Sequence, residues 1–294
     1  MKAIALVNAA GGRAGGDSGD RVAEALRGAG VAAEVKMVRP DHLAARTKAA
    51  VDAGAELVIA AGGDGTVSAV AGALVGTNAA LGILPLGTLN HFARDIGIPF
   101  DLDQAAAVIA AGHRRTVDVA RLGERVFVNN SAIGLYPLFV ADREGQQRLG
   151  RSKRLAMFVA GLRTLARFHH HRLTLTVNGG RSAAVETPLL FVGNNDYRLD
   201  LSGPGRRDSL EGARLGVIVM RRMGRFGFFV AMIRALAGRS RSGDMIRLDD
   251  VRQLTVASRR SSLAVSVDGE AVRMAPPLTY RTEPAALGVV APAR

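Results

Sequence analysis

Residues 56–70 read ELVIAAGGDGTVSAV, and this stretch decides the fold. An uninterrupted apolar run of strand length, ELVIAA, meets a glycine turn and then opens a helical pattern. A strand with no polar alternation is buried on both faces, as in a parallel sheet. In Gly62-Gly63-Asp64-Gly65-Thr66 the glycines let backbone approach a phosphate, and the helix start offers free N–H groups to an anion. Asp64 adds a carboxylate suited to Mg²⁺ or a polarised water. The plain structural alternative is a tight strand-to-helix turn in which Asp64 or Thr66 merely caps the helix.

The same texture extends to either side. Residues 2–8 (KAIALVN) form a short apolar run that ends in a Gly-rich loop at 9–19. Residues 20–29 and 41–53 read as helices, 31–38 as a strand, and 81–84 (LGIL) as another short strand. Alternating strands and helices predict an α/β domain, a parallel sheet with helices on both faces, with ligands at the carboxyl ends of the strands. After about residue 114 the pattern changes to short β-rich segments separated by turn residues, among them VDVARL, RLTLTVNG, ETPLLFVGNN and SLAVSVDGE. These predict a β-rich, antiparallel, sandwich-like domain, interrupted by helices at about 150–168 and 225–238. Two domains are expected, 1–120 and 121–294; whether the last strand returns to the first domain is not decided by the sequence.

The chain of 294 residues is 48% hydrophobic and has no cysteine, which excludes disulfides, thiolate metal sites and a cysteine nucleophile. Its opening lacks the long apolar core of a signal peptide, and no apolar run is long enough to span a bilayer. The expected location is therefore cytoplasmic. The formal net charge is +13, which draws a protein toward polyanions. With only 4% aromatic residues and no tryptophan, the chain is poorly equipped to stack on nucleic-acid bases, and no nucleic-acid partner is expected. No acid lies between Glu144 and Glu186, a stretch that includes Arg148, Arg151, Lys153 and Arg154. The apolar spacing of Leu155, Phe158, Val159, Leu162 and Leu165 fits either a membrane-surface helix or an ordinary helix with its arginines in water. Residues 221–239 carry the same two readings. His169-His170-His171 point in different directions, so a shared metal site is not expected.

A second glycine turn, Pro85-Leu86-Gly87-Thr88-Leu89-Asn90, follows the strand at 81–84 and belongs at the same sheet edge. Thr88 suits a phosphate oxygen, and Asn90 suits a backbone group or the nucleotide. GGDGT followed by PLGTLNHFARDIGIP resembles the catalytic domain of diacylglycerol kinases, a family that includes bacterial lipid kinases and sphingosine and ceramide kinases. Asn8-Ala9-Ala10-Gly11-Gly12 sits where the family has a nucleotide loop. VFVNNSAIGL (126–135), the Arg-Leu-Gly-Arg at 148–151, Asn194-Asn195 and Asp268-Gly269-Glu270 also resemble family segments.

The resemblance implies ATP bound between a nucleotide domain and a lipid-binding domain. The implied contacts are Asn8, Ala9, Ala10, Gly11, Gly12, Gly62, Gly63, Asp64, Gly65, Thr66, Val67, Ser68, Ala69, Gly87, Thr88 and Asn90. It implies Glu270 as catalytic base, with Asp268 and Asp64 close to the reacting centre. Asp64 and Asp118 are implied in a magnesium network, and Asp208, Glu211 and Ala213 in an accessory magnesium loop, where Glu211 replaces the usual Asp. Read without the family, Asp268-Gly269 is a hairpin turn.

Other departures are His91 after Asn90, and Ser68 and Ala69 after the glycine turn; each loses a polar group the family often carries. The expected activity is ATP- and Mg²⁺-dependent phosphorylation of a lipid hydroxyl, diacylglycerol or a related glycerolipid, in phospholipid metabolism at the inner membrane surface. The expected partners are the lipid and an anionic membrane surface, with a homodimer left open. The alternatives are a nicotinamide-nucleotide (NAD) kinase-like enzyme, or a non-catalytic binding module of the same fold.

Overall fold

A computed structural model of the protein describes residues 2–9, 17–134, 169–198, 206–207, 209–228, 230 and 242–293. Ala10, Gly11, Gly12 and Asp208, the basic stretch 148–168 and most of the expected helix 225–238 lie outside the described residues. The chain divides into two units, Met1–Val119 with Glu283–Arg294, and Ala120–Thr282.

In the first unit the chain runs β1 (Ala3–Asn8), α1 (Ser18–Gly28), β2 (Ala33–Val38), α2 (Leu43–Asp52), β3 (Leu57–Gly62), α3 (Asp64–Leu74), β4 (Ala80–Pro85), α4 (His91–Asp95) and α5 (Leu102–Ala111). Then β5 (Arg114–Leu122) leads into the second unit. Strands pair in parallel in the order β2-β1-β3-β4, and every residue of β3 and β4 is buried. That is the burial their unbroken apolar composition requires. Helix α2 packs on α3, and α1 on α5, the pairing expected when right-handed crossovers send α1 to one face and α2 and α3 to the other. Helix α5 was not anticipated. Its N-cap Asp101 accepts from the Gln104 amide at 3.0 Å, and Gly112 closes it at φ 67°, so both its ends are written in the sequence.

In the second unit follow β6 (Arg125–Phe127), β7 (Asn130–Gly134), β8 (His171–Val177), β9 (Ser182–Thr187), β10 (Leu189–Asn194), β11 (Tyr197–Arg198), β12 (Arg206–Arg207), β13 (Leu215–Met220), β14 (Met245–Val251), β15 (Gln253–Ala257), β16 (Leu263–Val267) and β17 (Glu270–Met274). Strand β18 (Leu278–Val290) begins in this unit and ends in the first, where Val289 pairs in parallel with Leu81. One antiparallel sheet has the order β14-β13-β10-β7-β16-β17. The other joins the first half of β18 to β15, β8 and β9. Inward residues of both sheets, including Ile133, Leu173, Val192, Val256 and Val265, share one core, as in a sandwich. Tyr280 is fully buried there, with its hydroxyl 3.1 Å from Ser131 Oγ and its ring edge-on to Phe127. Burial pushes the tyrosine pKa up.

At the start of β8, His171 is 6% exposed, and its Nδ1 is buried without a hydrogen-bond partner. Burial first, then His169, Arg260 and His170, lower its pKa from 6.5 to about 4. Between those values the unfolded chain binds a proton at this residue and the folded chain does not. Stability therefore falls as pH drops from about 6.5 toward 4, and the loss levels off below that. Thermal melts at pH 7 and pH 5 should show a steeper loss for the wild type than for His171→Leu. Equal losses would remove His171 from the acid sensitivity.

Candidate active site

The carboxyl ends of β1, β3 and β4 bring the two glycine turns together. Gly62 and Pro85 are in register, and Leu86 N–H donates to the Gly62 carbonyl at 3.0 Å. A Cβ on Gly87 would stand 2.5 Å from Gly63 Cα, and one on Gly63 would stand 3.3 Å from Gly87 Cα. The turns thus touch backbone to backbone, which only glycine permits. A Cβ on Gly62 would meet Thr66 Oγ1 at 2.3 Å. That oxygen, on a residue 2% exposed, accepts from Asn8 Nδ2 at 2.9 Å, tying the end of β1 to the first turn of α3. Asn90 is left-handed (φ 48°); its Oδ1 accepts from Gly87 N at 3.1 Å and its Nδ2 donates to Gly87 O at 2.9 Å. Asp64 Oδ1 accepts from Phe92 N at 3.3 Å, so α4 is pinned to the start of α3.

Gly65 differs from its neighbours. It is exposed, its φ is not positive, and a Cβ there would meet nothing within 4 Å. No contact among the described residues demands glycine at Gly65; without a Cβ there, the first-turn N–H groups of α3 are open to close approach by an anion. Beside the second turn a cavity of about 1080 Å³ is bounded by Arg21, Glu24, Gly87, Thr88, Phe100 and Asp103, among others.

Of the remaining residues implied at the nucleotide, Ala9 is exposed at the end of β1, and Ser68 and Ala69 are half-buried on α3. Val67 is 3% exposed, and its amide bonds to Gly63 O, so its side chain belongs to the core. Asp118 is 3% exposed; its Oδ1 accepts from Ala285 N at 2.9 Å, where Ala285 is left-handed at φ 49°. It staples β5, which leaves the first unit, to β18, which returns to it.

In the second unit Asp268 and Gly269 form a two-residue hairpin between β16 and β17, with φ values of 46° and 87°. Two positive φ angles define a type I′ turn, matched to strand twist. The Asp268 carboxylate accepts three amides: Oδ1 from Asn129 at 2.8 Å and Asn130 at 3.0 Å, Oδ2 from Val128 at 2.9 Å. It is committed to positioning the hairpin on residues 128–130. Glu270, at the start of β17, is exposed, and its carboxylate makes no hydrogen bond or ion pair with any described residue. A carboxylate left open on a pinned hairpin is equipped to take a proton.

Sequence reasoning missed the support beneath this hairpin. Arg207, 8% exposed, donates to Val128 O through Nη1 and to Asn129 Oδ1 at 3.0 Å, and lies 5.5 Å from the Tyr197 ring centroid. Asn194 Nδ2 donates to the same Val128 carbonyl at 3.2 Å. Residues 128–130 are thus held from one side by Arg207 and Asn194 and offer their amides to Asp268 on the other. No local pattern announces Arg207, because its partners lie at 128, 129 and 194. In Asp268→Asn one acceptor oxygen becomes an NH₂ facing an amide donor. We expect a loss of about 1–3 kcal/mol of stability, together with a fall in turnover, read by chemical denaturation and by steady-state assay.

Around the expected accessory loop, Gly212 N donates to Asn195 Oδ1 at 2.9 Å, Glu211 is exposed, and Ala213 is left-handed at φ 52°. Of the residues implied for magnesium, Asp64 and Asp118 lie in the first unit, and Glu211 and Ala213 in the second. Among the described residues, no three His, Asp or Glu side chains gather around one point.

Comparison with known proteins bears on this geometry. Residues 2–122 match the model of the diacylglycerol kinase catalytic domain, and residues 140–291 that of the YegS C-terminal NAD kinase beta sandwich-like domain. A probable lipid kinase YegS-like of Klebsiella pneumoniae is 49% identical over 81 residues, 27% of each chain. One of Cronobacter sakazakii is 40% identical over 114 residues, 37% of this chain and 38% of the relative. The matched stretches therefore span about a quarter to two fifths of these relatives. Among solved structures, a putative diacylglycerol kinase from Bacillus anthracis superposes with a TM-score of 0.77 at 21% identity, covering 99% of this chain and 97% of the other. An NAD kinase from Archaeoglobus fulgidus in complex with ATP gives 0.53 at 12% identity, covering 99% and 93%. Both share the fold.

Proposed function

The chain belongs to the family that joins a diacylglycerol kinase catalytic domain to a YegS C-terminal NAD kinase beta sandwich-like domain, and from that premise we propose that it transfers the γ-phosphate of ATP to the hydroxyl of a membrane lipid, diacylglycerol or a related glycerolipid. The observation that carries this reading is the backbone contact of Gly63 with Gly87. It sets two strand-to-helix turns side by side at one sheet edge, one of them opening α3 at Gly65, where a Cβ would touch no described atom. Polyphosphate is the ligand class such an edge fits. The probable lipid kinase relatives point to a lipid as acceptor.

In this reading the first unit holds the nucleotide. Asn8 and Thr66 fix the first turn, Asn90 fixes the second, and Asp64 presents its second oxygen beside the phosphates. The donor set fits magnesium, which keeps several waters and takes one or two carboxylates plus substrate phosphates rather than an all-protein cage. When bound, the ion neutralises phosphate charge. Glu270 accepts the proton of the lipid hydroxyl, and Asp268 fixes where Glu270 stands. Glu270 also favours an enzyme over a binding module, which has no use for an open carboxylate on a pinned hairpin.

Transfer of labelled phosphate from ATP with Mg²⁺, offered mixed micelles of diacylglycerol, monoacylglycerol, phosphatidylglycerol and a sphingoid base beside NAD, tests the proposal. A labelled lipid is the expected product. Labelled NADP in its place, or no product with ATP still bound, would overturn it.

A further inference from the structure

The second unit carries a second cavity, of about 1080 Å³, whose wall includes Arg172, Arg259, Arg260, His169 and His170. Arg172 points outward from β8, between the inward His171 and Leu173; Arg259 and Arg260 lie on the exposed loop from β15 to β16. The guanidinium groups of these three arginines have no hydrogen-bond or ion-pair partner among the described residues. The acid directly across the strand pair from Arg172 is Glu186, which would ordinarily neutralise it. Glu186 is instead taken by Arg222 at 3.2 Å. His170 Nε2 lies 2.9 Å from Met223 O, and the His169 and His171 rings lie tilted at 50° with centroids 4.5 Å apart. The rest of the wall includes Leu173, Ala184, Val185 and Ala257, together with Glu186 itself. Three arginines whose guanidinium groups have no partner among the described residues thus line one concavity with an apolar margin, and the one acid in its wall, Glu186, is bridged to Arg222.

We propose that this cavity is a binding site for a phosphate monoester, separate from the candidate active site. Guanidinium forks match pairs of phosphate oxygens, and several converging arginines suit a doubly charged group better than a singly charged one. The apolar margin suits the carbon skeleton next to the ester. Arg260 stands at the entrance to β16 and Glu270 just past its exit; a five-residue strand separates them by about 17 Å. One phosphate cannot serve both. The site does not rest on the kinase reading, because binding here needs no phosphate transfer.

The test measures binding by the full chain without ATP. Calorimetry with glycerol 3-phosphate reports a free phosphate monoester. Flotation with phosphatidylcholine vesicles containing phosphatidic acid reports the same group on a lipid. Vesicles containing phosphatidylglycerol at matched charge report attraction to charge alone. The expected result is binding in at least one of the first two arms, weakened about tenfold or more both by Arg259→Ala with Arg260→Ala and by Arg172→Gln, with thermal melts unchanged. Glycerol phosphate alone would assign a soluble ligand, and phosphatidic acid alone a lipid headgroup. Wild-type binding by the variants, equal retention on phosphatidylglycerol vesicles, or no binding in either arm would overturn the proposal.

Discussion

Glu270→Gln is expected to lower phosphate transfer to lipid by about 10²–10⁴-fold while leaving ATP affinity and thermal stability near those of the wild type. The substitution keeps the shape of the side chain and removes its capacity to accept a proton. Glu270 is exposed at the first position of β17, opposite Val267, so its replacement disturbs no packing, and the type I′ turn before it depends on Asp268 and Gly269 alone. The turnover number should fall with little change in KM for the lipid, because the proton is taken only as the bond to phosphorus forms. Transfer at the wild-type rate would remove Glu270 from the role of base. A parallel loss of ATP binding would make it a structural residue instead.

Gly87→Ala should have the next largest effect, and it acts through the nucleotide. Its new methyl group would stand 2.5 Å from Gly63 Cα and 2.6 Å from Asn90 Oδ1. Backbone cannot yield as a flexible side chain does, so the turns must part, at a cost of about 1–3 kcal/mol. If the turns hold the phosphates as proposed, spreading them displaces the contacting amides, and ATP affinity should fall about tenfold or more. Gly63→Ala is the milder partner, because its methyl group meets Gly87 Cα at 3.3 Å. Calorimetry on both variants gives the order. Unchanged ATP affinity in Gly87→Ala would mean that the nucleotide does not use this edge of the sheet.

Much of this was legible in the chain, for physical reasons. ELVIAA has no polar residue beyond its first, so a strand buried on both faces was its natural reading, and the glycines after it could only mark a turn. The β-rich character of the second half was equally plain from its alternating runs. Helix α5 was not read, although Asp101, Gln104 and Gly112 spell its two ends, because its alanine-rich interior has little contrast between faces. Strands β9 and β14 escaped notice because β9 is half exposed and β14 carries Asp249 and Asp250. The side chains of the glycine turns could be listed, but not the contact between Gly63 and Gly87, which depends on the register of β3 and β4. The resemblance implies Asp268 close to the reacting centre, and the structure gives its carboxylate a positioning task as well. That its carboxylate is occupied by three amides follows from residues 138–140 positions away, as Arg207's role follows from 128, 129 and 194. Such networks leave no periodic trace.

Strand β18 sets an order of events during biosynthesis. Its second half belongs to the unit formed by the first 119 residues, and Ala120–Thr282 lies between. A ribosome adding residues at about 5–20 per second takes on the order of ten seconds or more to make that insert. Throughout that interval β4 has its parallel neighbour β3 but lacks β18 on the other side. The first unit is therefore translated first but completed last, with an unpaired apolar strand edge exposed in the meantime. Factors that shield nascent chains would find their target along β4, from Ala80 to Pro85.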